Sequence, residues 1–305
     1  MSGYRFCRTD DIPLLVEAYN RCYAAHVEGA VDMTVEDFKL DVRELDLWAS
    51  SCMLALAGNE PVGVVLATKR DRETLIHRIG VHPEHRRHGH GRHLLDSLSR
   101  KLAILGPPRL VAEVPEQDDV ARTFFEACGY REEDRFADFR LQSPAPPGDA
   151  GSLCAPVTFD ELIDSGEWNE GVRRSWERSY ETLSNRKRQL EGLAVASDER
   201  IEAWTLHRPG ATGGREITAL ASAGTERARA VLGILVRHVA ARNGTSVSIP
   251  RISTDEIDFA VLQSWGFEKV SGYVAYATAA VPDAPGDPPD RSDLLSPRGR
   301  RSPAC

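Results

Sequence analysis

The sequence lacks several features, and each absence narrows what the chain can do. No window approaches the roughly 18 to 20 apolar residues that a membrane-spanning helix needs, so no membrane partner is expected. No apolar leader opens the chain: MSGYRFCRTDD carries charge where a secretory signal would be apolar, and export is not expected. Six cysteines (Cys7, Cys22, Cys52, Cys128, Cys154 and Cys305) form no C-x-x-C pair. They read as reduced thiols of a cytoplasmic protein. Positive charge is also short: 38 lysines and arginines face 46 acidic residues, for a net charge of -8. An acidic surface repels phosphate backbones, so no nucleic-acid partner is expected.

What remains is globular composition, with 41% hydrophobic and 28% charged residues in 305. That length is about twice a typical domain. Residues 142–152, QSPAPPGDAGS, have linker composition, and the proline-rich segment 281–305 reads as a disordered tail. The domain boundaries expected are therefore 1–142, a linker at 143–152, 153–280, and the tail. Each block is long enough to hold its own core. The blocks look like copies. LALAGNEPVGVVLATK at 54–69 and LAVASDERIEAWTLHR at 193–208 are both strand, polar turn, strand, 139 residues apart. FFEACGY at 124–130 and VLQSWGF at 261–267 both end a helix at a glycine before an aromatic, 137 residues apart. A tandem duplication accounts for both repeats, with two unrelated α/β domains as the alternative.

Within the first block the patterns predict a strand at 4–8 and a helix capped by Asp10 or Asp11, with Pro13 in its first turn. Thr34 caps a second helix to about 49. A hairpin covers 51–69, and a long strand covers 74–81. There follow a helix with Leu94, Leu95, Leu98, Leu102 and Leu105 on one stripe, a strand at 109–114, a helix at 118–128 and a strand at 136–141. Strands and helices alternate late but a hairpin sits in the middle. The fold class is α/β, each block a mixed central sheet flanked by helices.

The chemistry concentrates in 74–95, TLIHRIGVHPEHRRHGHGRHLL. An apolar strand ends at Val81, a proline turn follows, and Arg86–Gly91 opens a helix. Glycines let a backbone approach a ligand closely, and the unpartnered N–H groups of a helix start attract phosphate. Arg86, Arg87 and Arg92 add charge. Val81-x-Pro83-x-x-Arg86-x-x-Gly89-x-Gly91 resembles the coenzyme A loop of the GNAT superfamily of acyl-CoA N-acyltransferases. Asp118-x-x-Ala121…Phe125-x-x-x-Gly129-Tyr130 is similar to that family's second element, N-x-x-A…Y-x-x-x-G-F.

The resemblance implies acetyl-CoA as cosubstrate and direct attack by an amine. Backbone amides of Arg87, His88, Gly89, His90, Gly91 and Arg92 would cradle the pyrophosphate. The edge of Ile79–Val81 would pair with the pantetheine arm, and an amide near Val81 would serve the oxyanion. A typical alkylammonium has a pKa of about 10.4, so a base must take its proton. Strand alternation puts Leu75, His77, Ile79 and Val81 on one face, which makes His77 the candidate base. Glu28 could hold a cationic amine, with His26 beside it, and Glu73 is a weaker base candidate. Phe125 stands where the family often has a tyrosine to protonate the leaving thiolate; Tyr4 and Tyr130 are the alternatives.

His82, His85, His88, His90 and His93 straddle a turn and a helix start rather than one helical face. No cysteine or paired carboxylate joins them, so no metal is expected. The second block has EITALASAG at 216–224 in place of the loop, with Asp255 matching Asp118 and Leu262 matching Phe125. It therefore keeps the fold and loses the cofactor. Arg173, Arg174, Arg178, Arg186, Lys187 and Arg188 read as a solvated helix face. The functional expectation is a cytoplasmic N-acetyltransferase acting on a small-molecule primary amine. The alternatives are a protein lysine or N-terminal acetyltransferase, and a non-catalytic acetyl-CoA sensor; a homodimer is left open.

Overall fold

The computed structural model describes residues 2–27, 29–142, 154–198, 200–210, 213–241 and 246–280. The expected linker beyond Gln142 and the expected tail fall outside the described residues.

Strand β1 (Ser2–Phe6) leads into α1 (Ile12–Cys22), where Pro13 costs no hydrogen bond because first-turn N–H groups lack partners anyway. Leu15, Val16, Ala18, Tyr19 and Cys22 form the buried stripe of α1. Helix α2 (Val35–Glu44) starts at a capping box in which Thr34 and Asp37 bond each other's backbone N–H. It stops at Glu44 rather than near 49, because the chain turns at Asp46 with φ of 61°. The Asp46 carboxylate fixes that turn by accepting from Arg70 and Asn185.

The hairpin β2 (Met53–Ala57) and β3 (Glu60–Lys69) precedes β4 (Thr74–Val81), α3 (His90–Leu105), β5 (Arg109–Pro115), α4 (Asp119–Ala127) and β6 (Arg131–Gln142). Leu94, Leu95, Leu98 and Leu102 of α3 are buried as the periodicity requires, but Leu105 lies past the end of the core and is 68% exposed. The second half repeats the plan with β7 (Ala155–Val157), α5 (Phe159–Asp164), α6 (Tyr180–Arg186), β8 (Glu191–Ala196), β9 (Ile201–Pro209), β10 (Arg215–Ser222), α7 (Glu226–Ala241), β11 (Ser246–Ser253), α8 (Phe259–Ser264) and β12 (Glu268–Ala279).

All twelve described strands belong to one mixed sheet in the order β1-β2-β3-β4-β5-β12-β6-β11-β10-β9-β8-β7. The last strand of each half is exchanged. β12 pairs antiparallel with β5 of the first half, Tyr273 to Pro115 through Ala279 to Arg109. β6 pairs antiparallel with β11 of the second half, and β6 and β12 pair with each other at the centre. Each core is completed by the other half: Val274 and Tyr276 join Leu94, Leu98, Leu110 and Phe125, while Ala137, Phe139 and Leu141 join Leu235, Val236 and Ile249. The expectation that each block holds a core of its own is corrected accordingly. Residues of this size contribute about 1.5–3 kcal/mol each when fully buried, so neither half is complete alone. Alternation in β6 and β12 is equally good for either partner, which is why periodicity could not reveal the exchange.

Candidate active site

The parallel neighbours β4 and β5 pair only at Thr74–Leu75 with Leu110–Val111. Beyond that point β5 stays paired with β12 while β4 runs on to Val81, so the two strands splay into a V. β4 also carries a bulge. Leu66 pairs with Arg78 but Ala67 pairs with Ile76, which leaves His77 as the extra residue. The bulge overturns the common face expected for Leu75, His77, Ile79 and Val81. Ile76 and Ile79 both pack in the core under α3, while Leu75 lies on the opposite face with Leu45 and Trp176. His77 faces α2, with its Nε2 3.6 Å from the Asp41 carboxylate and its side chain 7% exposed. Burial, then Arg78, push its pKa below the usual histidine value despite Asp41, so the ring is neutral at pH 7.

Past the bulge the alternation resumes. The His82 N–H donates to Val62 on β3, so the amides of Ile79 and Val81 turn to the other edge, into the V. The Val81 carbonyl on that edge accepts from Arg86 Nε at 3.0 Å. A short 3-10 turn (Pro83–His85) then leads to the loop. Arg87 has φ of 66° and Gly89 has φ of 84°. Gly89 is the N-cap of α3 and, having no side chain, leaves the first-turn N–H groups uncapped. A Cβ at Gly89 would meet nothing within 4 Å, so there is room beside the positive helix end. Gly91 serves packing instead: a Cβ there would come within 3.1 Å of the Phe124 ring on α4.

Residues 13–130 match the model of the acetyltransferase (GNAT) family. The amino-terminal half is a GNAT domain. The whole chain is similar in fold to a GCN5-related N-acetyltransferase from Sphaerobacter thermophilus, with 16% identity over 93% of this chain and 97% of that one, and a TM-score of 0.65. It is similar as well to a tandem GNAT protein from the clavulanic acid biosynthesis pathway, with 17% identity, 93% and 100% coverage, and a TM-score of 0.61. A putative acetyltransferase from Pyrococcus horikoshii shows 13% identity, 92% and 90% coverage, and a TM-score of 0.59. The fold is thus a tandem of two GNAT-like units, and the family's chemistry is acyl transfer. No helix among the described residues is long and apolar enough to cross a membrane.

The residues singled out in the GNAT domain have diverse surroundings. Arg86 is tied to the Val81 carbonyl, and Arg92 donates to the Ala127 carbonyl at 2.7 Å. Arg87 and His88 are exposed. His90 is buried with its Nδ1 2.6 Å from the Tyr4 hydroxyl. Burial, then His85, His88 and His93, lower its pKa. Asp118 is spent as the N-cap of α4, accepting from Ala121 N. Its expected counterpart Asp255 does not cap α8; Asp258 does, because that helix starts later. Phe125 is 3% exposed and packs against Tyr130 and Tyr276 in the core. Tyr130 is also in the core, and burial raises its pKa. Glu73 bonds Arg109 at 3.0 Å, away from the V. Glu28 lies outside the described residues.

Sequence reasoning missed a second group of residues, which reaches the GNAT domain from the other half. The 3-10 turn Trp176–Arg178 sends successive side chains three ways. The Trp176 backbone N–H donates to Glu113 of β5 at 2.7 Å, and its indole N–H donates to the Leu45 carbonyl. Arg178, 1% exposed, enters the second half's own V. β10 and β11 pair only at Arg215–Glu216 with Val247–Ser248 before diverging. Arg178 fills that gap, donating to the Ile217 and Pro250 carbonyls and to the fully buried Glu256. The solvated basic face expected of this stretch is corrected: Arg178 and Arg186 are buried, the latter paired with Glu44 at 2.7 Å. The tryptophan inside the arginine run was the one available signal.

Between the halves lies Glu177. Burial would push its carboxyl up, but Arg251, then Arg186, His77 and Arg78, outweigh that and hold it at about 2. Arg251 sits at a bulge in β11 with φ of 47°. Its N–H donates to Asp138, its guanidinium pairs with Glu113 at 2.5 Å, and it stacks 4.4 Å over Tyr273. Such a strained residue, held by three other strands, marks a place where geometry is enforced.

Proposed function

We propose that the amino-terminal domain is an acetyl-CoA-dependent N-acetyltransferase that acts on the primary amine of a small molecule, in the cytoplasm. The observation that carries this reading is the continuity of the V with the loop. Cleft-facing amides of Ile79 and Val81 run directly into the uncapped, left-handed start of α3. That is a track of donors for an extended ligand ending in a diphosphate, and it fits coenzyme A. Arg87 to Arg92 would hold the diphosphate, and Ile79 and Val81 the pantetheine arm and the acyl oxygen. Bound there, acetyl-CoA would supply an activated thioester.

His77 is neutral at pH 7 and can accept the proton that the amine must lose. The amine's lone pair forms the new C–N bond as the C–S bond breaks, its electron pair leaving on sulfur. Thiols ionise near pH 8.5, roughly, so the thiolate can depart without a tyrosine. That matters because Phe125 has no hydroxyl and Tyr130 is buried in the core. The second half supports the same reading by contrast, because its V is closed by Arg178.

Gly89→Glu tests the loop. The site has room for a side chain but a positive φ, so strain of about 1–2 kcal/mol must be separated from charge. Gly89→Asn tolerates the same backbone and stays neutral. Calorimetry with coenzyme A is expected to show binding weakened at least tenfold more by glutamate than by asparagine. Equal affinities would refute the assignment.

A further inference from the structure

Glu177 and Arg78 are the two charges of the central cluster without an ion-pair partner among the described residues, and they are opposite in sign. The others are paired: Arg251 with Glu113 at 2.5 Å, Arg186 with Glu44 at 2.7 Å, and His77 beside Asp41 at 3.6 Å. Glu177 forms no hydrogen bond or ion pair with any described residue, although its side chain is deep enough to be held by the field of four neighbours. Arg78 donates to the backbone carbonyl of His77 at 2.7 Å and lies 5.9 Å from the Tyr23 ring centre, with no carboxylate partner among the described residues. Both residues are partly accessible. Neither charge is spent in an ion pair with a described residue, and Trp176 next to Glu177 packs against Leu75 of β4, which brings both charges to the neutral imidazole at the bulge.

We infer that the acceptor is a zwitterion of the amino-acid class, with its ammonium group held by Glu177 of the second half and its carboxylate by Arg78 of β4. This rests on the acetyltransferase reading above and narrows it. An amino acid carries its two charges on one carbon, as a pair of neighbouring, opposite protein charges requires. A guanidinium suits a carboxylate through its planar fork. Glu177 is too weak a base to take a proton at neutral pH, so it gathers the abundant ammonium form and leaves deprotonation to His77. The degenerate half thereby acquires a role: it holds no cofactor loop, but its 3-10 turn carries one wall of the acceptor site.

The test uses the full chain, saturating acetyl-CoA, and three equimolar mixtures. These are the proteinogenic amino acids, their α-amides, and the corresponding decarboxylated amines. Initial rates of thiol release are expected to favour the amino acids at least tenfold over both other mixtures. Glu177→Gln is expected to raise KM for the amino acids tenfold or more, with kcat within about threefold. Arg78→Gln is expected to remove the preference for a free carboxylate. Neither residue touches the loop, so calorimetric affinity for coenzyme A reports whether each variant is folded. Should a variant fail to fold, the wild-type preference among the mixtures still decides. Equal rates with all three mixtures, or an unchanged KM in folded Glu177→Gln, would overturn this inference and leave the acetyltransferase reading standing. Coenzyme A binding without thiol release from any mixture would overturn both.

Discussion

Two V-shaped openings in one sheet had different fates. Each begins the same way, with two residues of parallel pairing before the strands diverge, β4 from β5 and β10 from β11. In the first half the opening continues into a left-handed glycine at a helix start, with the Ile79 and Val81 amides turned into it. In the second, the Arg178 guanidinium bonds a carbonyl on each diverging strand and an interior carboxylate, and the left-handed Gly224 that follows leads to a helix start where Thr225 accepts from the Ala228 N–H. Splayed strands expose backbone groups that must be satisfied. A ligand can do this, or a side chain can do it permanently. Two openings of one plan can therefore differ in whether a long cationic side chain of the protein itself satisfies their backbone groups.

The comparison can be broken most severely by separating the halves. A fragment of residues 1–142 lacks β12, leaving the β5 edge unpaired and Val274 and Tyr276 missing from the core. It is expected to show no cooperative unfolding by circular dichroism; a sharp transition would mean that the exchange is dispensable. Next in size is Arg178→Met, which leaves buried Glu256, among the described residues, with the Ser253 N–H and the more distant Arg174. Removing one partner of a buried pair costs about 3–5 kcal/mol. Urea denaturation is expected to show a loss near the lower end, with coenzyme A affinity unchanged because the first V is untouched.

Phe125→Tyr sharpens the contrast at a matched position, since its counterpart Leu262 is also buried. The added hydroxyl has no partner in the core, so a loss of about 1–3 kcal/mol with no gain in kcat is expected. A faster enzyme would restore this position to the chemistry. The smallest effect is on pH. His77 and His90 both titrate below the usual histidine range when folded. The unfolded chain therefore binds more protons as pH falls through about 6.5, and stability should decline there. The urea midpoint between pH 8 and 5.5 measures this, and His77→Gln should flatten the slope.

Much of the first half was legible because its signals are local. Thr34 as a helix cap, Pro13 in a first turn, and the Leu94-to-Leu102 stripe act over one or two helical turns, and each appears where the pattern puts it. The glycine loop was equally readable, since positive φ at Gly89 and an uncapped helix start follow from residue type. The errors came where one residue shifted the register or a distant partner intervened. His77 broke the alternation as a bulge, which no period-two count detects. Arg178 and Arg186 looked like surface cations because hydropathy cannot see Glu256 or Glu44.

The sequence by itself determined two copies of a mixed α/β plan, placed an arginine- and glycine-bearing turn after β4 in one copy alone, and left the other without that motif. Tertiary structure decided which final strand completes which sheet, which V stays open, and which charges meet at the centre. Glu113 and Arg251 are 138 residues apart, and Glu44 and Arg186 are 142 apart. Local sequence fixes backbone angles and the faces of elements within a few residues. Contacts across such separations depend on how whole elements pair, and two strands with the same alternation offer the chain the same local choice.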